Sequence, residues 1–258
     1  MQIMLTLRYL GTHYCGYQVQ PNGVSVQATV QDALEAIYQT RPGVVGCSRT
    51  DSGVHALGFK LTFFAPQTPR IDIDHLPSAL NRFLPRDISV IAACIVPDSF
   101  HVRYDVAWKT YEYLICNAPW RDPFWEGRAY HCLRKLDEVR MNEGAGLFLG
   151  EHDFAAFMAS GSQVQNTVRV MYDATVRRQG EMVIFSVRGN GFLYHMVRNM
   201  AGTLMELSFG KCTEEQIVTA LQSGGLQSKK FSMFTAPAHG LYLKEVQHVR
   251  EEQTSTCS

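Results

Sequence analysis

The hydrophobic period of this chain switches repeatedly between two residues and 3.6, which restricts it to a fold of alternating strands and amphipathic helices. Ile3, Leu5, Leu7 and Tyr9 recur at period two and predict a half-buried strand over Gln2 to Leu10. Turn residues Gly11, Gly16, Pro21 and Gly23 follow. Val26, Val30, Ala33, Leu34 and Ile37 then recur at helical spacing, so Val26 to Tyr38 reads as a helix with Ser25 as its cap. Val44 to Cys47, Leu57 to Phe64, Ile88 to Val96 and Val106 to Cys116 read as strands, and Asp74 to Phe83 as a helix.

A second set has the same grammar. Leu136 to Leu149 predicts a helix, and Val168 to Arg177 pairs with Met182 to Val187 around the Gln179-Gly180 turn. Leu193 to Leu207 carries the apolar stripe Leu193, Met196, Val197, Met200, Leu204 and Leu207. Thr213 caps a shorter helix to Leu221, and Leu241 to Val246 is a last strand. The pattern predicts an α+β chain of two similar α/β halves with a cleft between them. The N-terminal half spans 1–98, the C-terminal half 99–250, and 251–258 is a polar, flexible tail.

At 258 residues, 46% of them hydrophobic, the chain has ample material for a buried core. Its longest apolar runs, such as Ile91 to Val96, are too short to cross a bilayer, and Met1 to Leu10 lacks a signal-peptide layout. The expectation is a soluble, cytoplasmic protein without a membrane partner. Seven scattered cysteines with no C-x-x-C spacing argue against a disulfide framework or a structural zinc site. Twenty-four basic residues balance twenty-four acidic ones, which weighs against a polyanionic partner unless the charges are segregated. They are segregated in the sequence. Residues 154–205 hold Arg169, Arg177, Arg178, Arg188 and Arg198 against Asp173 and Glu181, whereas 137–153 is acidic.

Arg49-Thr50-Asp51-Ser52-Gly53-Val54-His55 could present an acid rigidly at a strand end, with Arg49 keeping Asp51 ionised if the local chain is extended. The same run also reads as a turn in which Asp51 merely bonds backbone amides. Tyr111 and Tyr113 share a strand face and serve either as core or as a surface for an exposed base. Arg198 interrupts an apolar helix, as a snorkelling side chain or as a second partner for an acid such as Asp51. No metal-ligand pair or phosphate-binding glycine motif occurs, so no metal and no cofactor is expected.

Several runs together resemble the TruA family of tRNA pseudouridine synthases. They are Gly46-Cys47-Ser48-Arg49-Thr50-Asp51-Ser52-Gly53-Val54-His55-Ala56, Phe100-His101-Val102-Arg103-Tyr104-Asp105, Lys109-Thr110-Tyr111-Glu112-Tyr113, Gly191 to Arg198, and Ala236 to Leu243; Gly150 to Phe154 supports them. The resemblance implies that Asp51 is the essential aspartate, Tyr111 the aromatic residue beside the target uracil, and Arg49 and Arg198 substrate-binding arginines. It implies mainly antiparallel sheets around a central RNA-binding cleft, no cofactor, and a homodimer acting on uridines at positions 38–40 of the tRNA anticodon arm. Cys47, Ser48, Ser52 and Lys109 depart from the family pattern. Two other readings of the chain are a catalytically silent tRNA-binding protein on the same scaffold and a metal-dependent hydrolase using Asp51, His55 and His101.

Overall fold

A computed structural model of the chain describes residues 1–69, 71–161, 164–222 and 234–249. In chain order its strands are β1 (Gln2–Tyr9), β2 (Val44–Gly46), β3 (His55–Phe64), β4 (Ile88–Val96), β5 (Val106–Cys116), β6 (Tyr130–His131), β7 (Gly150–Asp153), β8 (Val168–Gln179), β9 (Met182–Gly189) and β10 (Leu241–His248). The α-helices are α1 (Val26–Tyr38), α2 (Leu76–Asn81), α3 (Glu138–Gly146), α4 (Met196–Ser208) and α5 (Glu214–Gln222). The fold is α+β. One compact unit comprises Met1–Ala107 with the described part of Leu243–Ser258, and the other comprises Trp108–Tyr242. The tail expected over 251–258 lies outside the described residues.

In the first unit the strand order is β4-β1-β3-β10, with β2 also pairing β3. β1 pairs antiparallel with both β3 and β4. The register sets Ile3 opposite Phe63, Leu5 opposite Leu61 and Leu7 opposite Phe59, so the alternating apolar residues of both strands share one face. All six are buried. α1 buries its predicted stripe, and its Tyr38 ring meets Phe63 at 6.0 Å. Its first turn is capped as expected, with Ser25 Oγ accepting the Ala28 N–H at 3.2 Å. The carbonyls of Gly16 and Tyr17 accept the N–H groups of Val26 and Gln27, so the start of α1 also holds the preceding loop.

The second unit has the order β5-β9-β8-β7, all antiparallel, with the short β6 running parallel to β5. Tyr113 pairs with Phe185 and Ile115 with Val183, and all four are buried. α4 begins three residues later than its hydrophobic stripe predicts. His195 sits in the left-handed region at φ 59°, the Leu193 carbonyl accepts the Met196 N–H, and the Tyr194 carbonyl is taken by the Ala159 N–H. Gly191 to His195 is thereby held as a turn ahead of the helix. The basic run is also less free than the sequence suggests. Arg178 pairs with Glu138 from the acidic segment, and Arg177 with the buried Glu112, each at 3.0 Å. No helix among the described residues is long and apolar enough to cross a membrane.

Replacing Ser25 with Ala removes the α1 cap, and urea denaturation is expected to show a loss of about 1 kcal/mol.

Candidate active site

The segment between β2 and β3 carries Asp51, and its backbone is tied on both sides. Upstream, the Thr50 carbonyl accepts the Tyr17 N–H at 3.1 Å, and the Thr50 hydroxyl lies 2.9 Å from the Tyr9 hydroxyl. Downstream, the Asp51 carbonyl accepts the Val54 N–H at 3.1 Å, closing a turn through Gly53 at φ 81°. Ser52 Oγ donates to the Tyr14 carbonyl, so the family departure at 52 adds a tether. The departure at 47 also has a structural use. Cys47 is fully buried and exchanges bonds with the backbone of Lys60, its N–H donating to the Lys60 carbonyl. Among these buried ties, Asp51 itself is only partly covered. This is the rigid presentation that an acid at a strand end requires.

Gly16 makes the close approach of the two segments possible. At φ 105° it occupies a conformation that side chains resist, and a Cβ there would lie 2.6 Å from the Thr50 carbonyl oxygen. His55 is a buried brace, its Nδ1 accepting the Gly11 N–H at 2.9 Å. His101 Nδ1 likewise accepts the N–H groups of Arg103 and Tyr104. These assignments occupy nitrogens that the hydrolase reading would offer to a metal.

Arg49 does not pair with its neighbouring acid. It forms no ion pair with any described carboxylate and lines a pocket with Tyr17, Gly46 and Arg103. The expected neutralisation of Asp51 by Arg49 is therefore replaced by a cation facing open space. The hydroxyls flanking Asp51 fix the loop as their place in the sequence suggests, whereas sequence reasoning missed the anchoring roles of Tyr9 and His55, and also Arg103. The only signals for them were the polar run around Asp51 and the arginine in Phe100 to Asp105.

The other two candidates belong to the second unit. Tyr111 is 6% exposed and meets the Phe192 ring edge-on at 4.9 Å. Its strand neighbour Tyr113 is fully buried and donates its hydroxyl to the Pro237 carbonyl at 2.8 Å. Arg198 Nε donates to the Ala236 carbonyl at 2.7 Å, while the Arg198 carbonyl accepts the Ala236 N–H. This reciprocal clamp sets the direction of the guanidinium and joins two of the matching runs. Burial lowers the pKa of His239, with Glu126 acting against it and Arg198 adding to it.

A tRNA pseudouridine synthase family model matches residues 6–105 and 145–248, spanning the Asp51 loop, the Arg198 helix and β10. The chain belongs to the tRNA pseudouridine synthase family. Its relatives named tRNA pseudouridine synthase A are similar from end to end. The protein from Ruminiclostridium cellulolyticum is 42% identical over 246 residues, covering 95% of this chain and 98% of the relative. The one from Methylacidiphilum infernorum is 39% identical, covering 97% and 96%. That from Syntrophotalea carbinolica is 41% identical, covering 97% of each.

Gly16→Ala is expected to displace the Asp51 loop and slow single-turnover pseudouridine formation by about 10- to 100-fold, measured on protein that remains folded by circular dichroism. A second expectation concerns acid. Because the His239 pKa is lower in the folded than in the unfolded chain, the unfolded state binds more protons, and stability is lost as pH falls below about 6.5. His239→Gln should flatten the dependence of the melting temperature on pH on the acid side of 6.5.

Proposed function

We propose that this chain isomerises uridines at positions 38–40 of the tRNA anticodon arm, with Asp51 as the catalytic carboxylate. The reaction of the family converts uridine to pseudouridine within one nucleotide. The bond from ribose C1′ to uracil N1 breaks and a bond from C1′ to C5 forms; a proton leaves C5 and N1 gains one. Electrons and atoms balance without a redox partner or phosphate donor, so the chemistry needs no cofactor.

The observation that carries the reading is the over-determined loop around Asp51. A base must leave its stack to be re-bonded, at a cost of a few kcal/mol, and a carboxylate that acts on it must not move in response. Thr50, Val54 and Ser52 anchor the backbone on either side of Asp51 while its side chain remains partly accessible. In this proposal Tyr111 contacts the uracil, Arg198 keeps the aspartate ionised, and Arg49 holds the splayed RNA. The protein works as a homodimer in the cytoplasm. Two chains then line up basic surfaces along one tRNA, which relieves the difficulty posed by a net charge of zero.

Incubation of purified protein with unmodified tRNA transcripts, followed by mapping of pseudouridine, tests the reading directly. Asp51→Asn should slow single turnover at least about 100-fold with tRNA still bound; wild-type turnover would remove Asp51 from the chemistry. Tyr111→Ala should impair the bound complex more than it weakens binding. Tight tRNA binding by the wild type without any pseudouridine would favour the silent binding protein.

A further inference from the structure

The pocket that receives Arg49 has a donor-rich lining. It encloses about 170 Å³, and its walls include Tyr17, Gln18, Gly46, Arg49 and Arg103. Arg103 Nε donates to the Gly46 carbonyl at 3.3 Å, which fixes the guanidinium and leaves its two terminal nitrogens without a partner among the described residues. Neither Arg49 nor Arg103 forms an ion pair with a described carboxylate. The Tyr17 ring stacks beside Phe59 at 4.3 Å between centroids and is 2% exposed. Its hydroxyl is buried without a hydrogen-bond partner among the described residues.

Gly46 brings these groups together. A Cβ at 46 would lie 2.5 Å from Tyr17 Cε1 and 2.8 Å from its hydroxyl, so the phenol rests directly on the residue whose carbonyl holds Arg103. Two acceptors in the lining are already engaged, the Gly46 carbonyl by Arg103 and Gln27 Oε1 by the Val19 N–H. Burial raises the Tyr17 pKa, with Cys47 adding to the rise and the charge of Arg103 opposing it, so the phenol is a donor at neutral pH. Two arginines and a phenol whose O–H has no partner among the described residues therefore border one pocket. The chemistry that matches is an anion with acceptors only and several oxygens, which is a phosphate group.

We propose that Tyr17, Arg49 and Arg103 form a phosphate subsite that grips one backbone phosphodiester of the RNA substrate beside the nucleotide presented to Asp51. The assignment rests on the reading of this chain as a tRNA uridine isomerase and adds two residues, Tyr17 and Arg103, to its binding machinery. Arg49 is two residues from Asp51, a span of at most about 7 Å along the chain. A phosphate held there anchors the strand next to the site of base extrusion, where the backbone must be strained. The free protein keeps an unsatisfied hydroxyl as the cost of a donor in place before RNA arrives.

The two variants to compare with the wild-type full chain are Tyr17→Phe and Arg103→Gln, using an unmodified tRNA transcript as probe. Arg103→Gln should weaken binding about tenfold and lower the slope of log affinity against log salt by about 0.7 to 0.9, the effect of one lost phosphate contact. Tyr17→Phe should raise the melting temperature by removing the orphan hydroxyl, yet weaken tRNA binding about fivefold with an unchanged salt slope. A residue that only packs the core would give the rise in stability with unchanged affinity, and that result overturns the proposal even if Arg103→Gln fails to fold. An unchanged salt slope in folded Arg103→Gln also overturns it, leaving Arg103 as a brace for the Gly46 carbonyl. Binding of inorganic phosphate that weakens in both variants while tRNA affinity stays constant would assign the pocket to a free anion and exclude the RNA contact. If the wild type forms pseudouridine while both variants bind as it does, the subsite alone fails; if the wild type forms none, the functional reading fails first.

Discussion

The hydrogen bonds at Thr50 are the hinge on which the first unit's chemistry depends. Its carbonyl is bound by the Tyr17 N–H and its hydroxyl by Tyr9, which joins the Asp51 loop both to β1 and to the segment that opens α1. That segment is itself held from the other side, because the Val26 and Gln27 N–H groups bond to Gly16 and Tyr17. Donors at a helix start need partners in any case. Here they are satisfied by the stretch of chain that also positions the aspartate, so the helix start and the loop share one set of hydrogen bonds. A loop secured this way can present a carboxylate to an incoming strand without rearranging, which is where electrostatic catalysis gains most over water.

Net neutrality is compatible with a polyanionic substrate because the charges are not interchangeable. Arg177 and Arg178 answer to Glu112 and Glu138, and Arg41 to Asp32 and Glu35, so these arginines are committed within the protein. Arg49 and Arg103 are not. A bound phosphate responds to charge within about 8 Å at physiological salt, and distant acids are screened. The count of residues therefore says little about the charge that a bound phosphate meets locally.

Much of the scaffold was legible because its burial is periodic. Ile3 to Tyr9, the Val26 to Ile37 stripe, Ile88 to Val96 and Val106 to Cys116 all form the elements that their spacing implies. Legibility failed where a single backbone conformation overrides the pattern. His195 in the left-handed region stops α4 from beginning at Leu193, and nothing in the apolar stripe signals it. Spacing also could not show that the chain after Leu243 rejoins the first unit, where the Lys244 carbonyl would be 2.7 Å from a Cβ at Gly58. The candidate site was readable in proportion to its resemblance to a family. Asp51, Arg49, Tyr111 and Arg198 stand in matching runs, but the assumption that Arg49 neutralises Asp51 came from period-two geometry, and no ion pair joins the two. Tyr17 carried no signal, since a buried tyrosine with a satisfied hydroxyl and one with an orphan hydroxyl read identically in sequence.

Tyr17 also shows why a site and its scaffold need not be optimal together. Leaving a buried hydroxyl unsatisfied costs about 1 to 3 kcal/mol, and phenylalanine would fill the same space beside Phe59 without that cost. The ring is needed structurally, because it covers Gly46 at the end of β2, where any larger residue would collide with it. The oxygen has no partner among the described residues. A polar atom without a protein partner, at the wall of a pocket beside an arginine without a carboxylate partner, is best understood through the state in which both acquire one. In that state the two defects cancel, and the stability withheld from the free protein becomes affinity for the phosphate of the strand being opened.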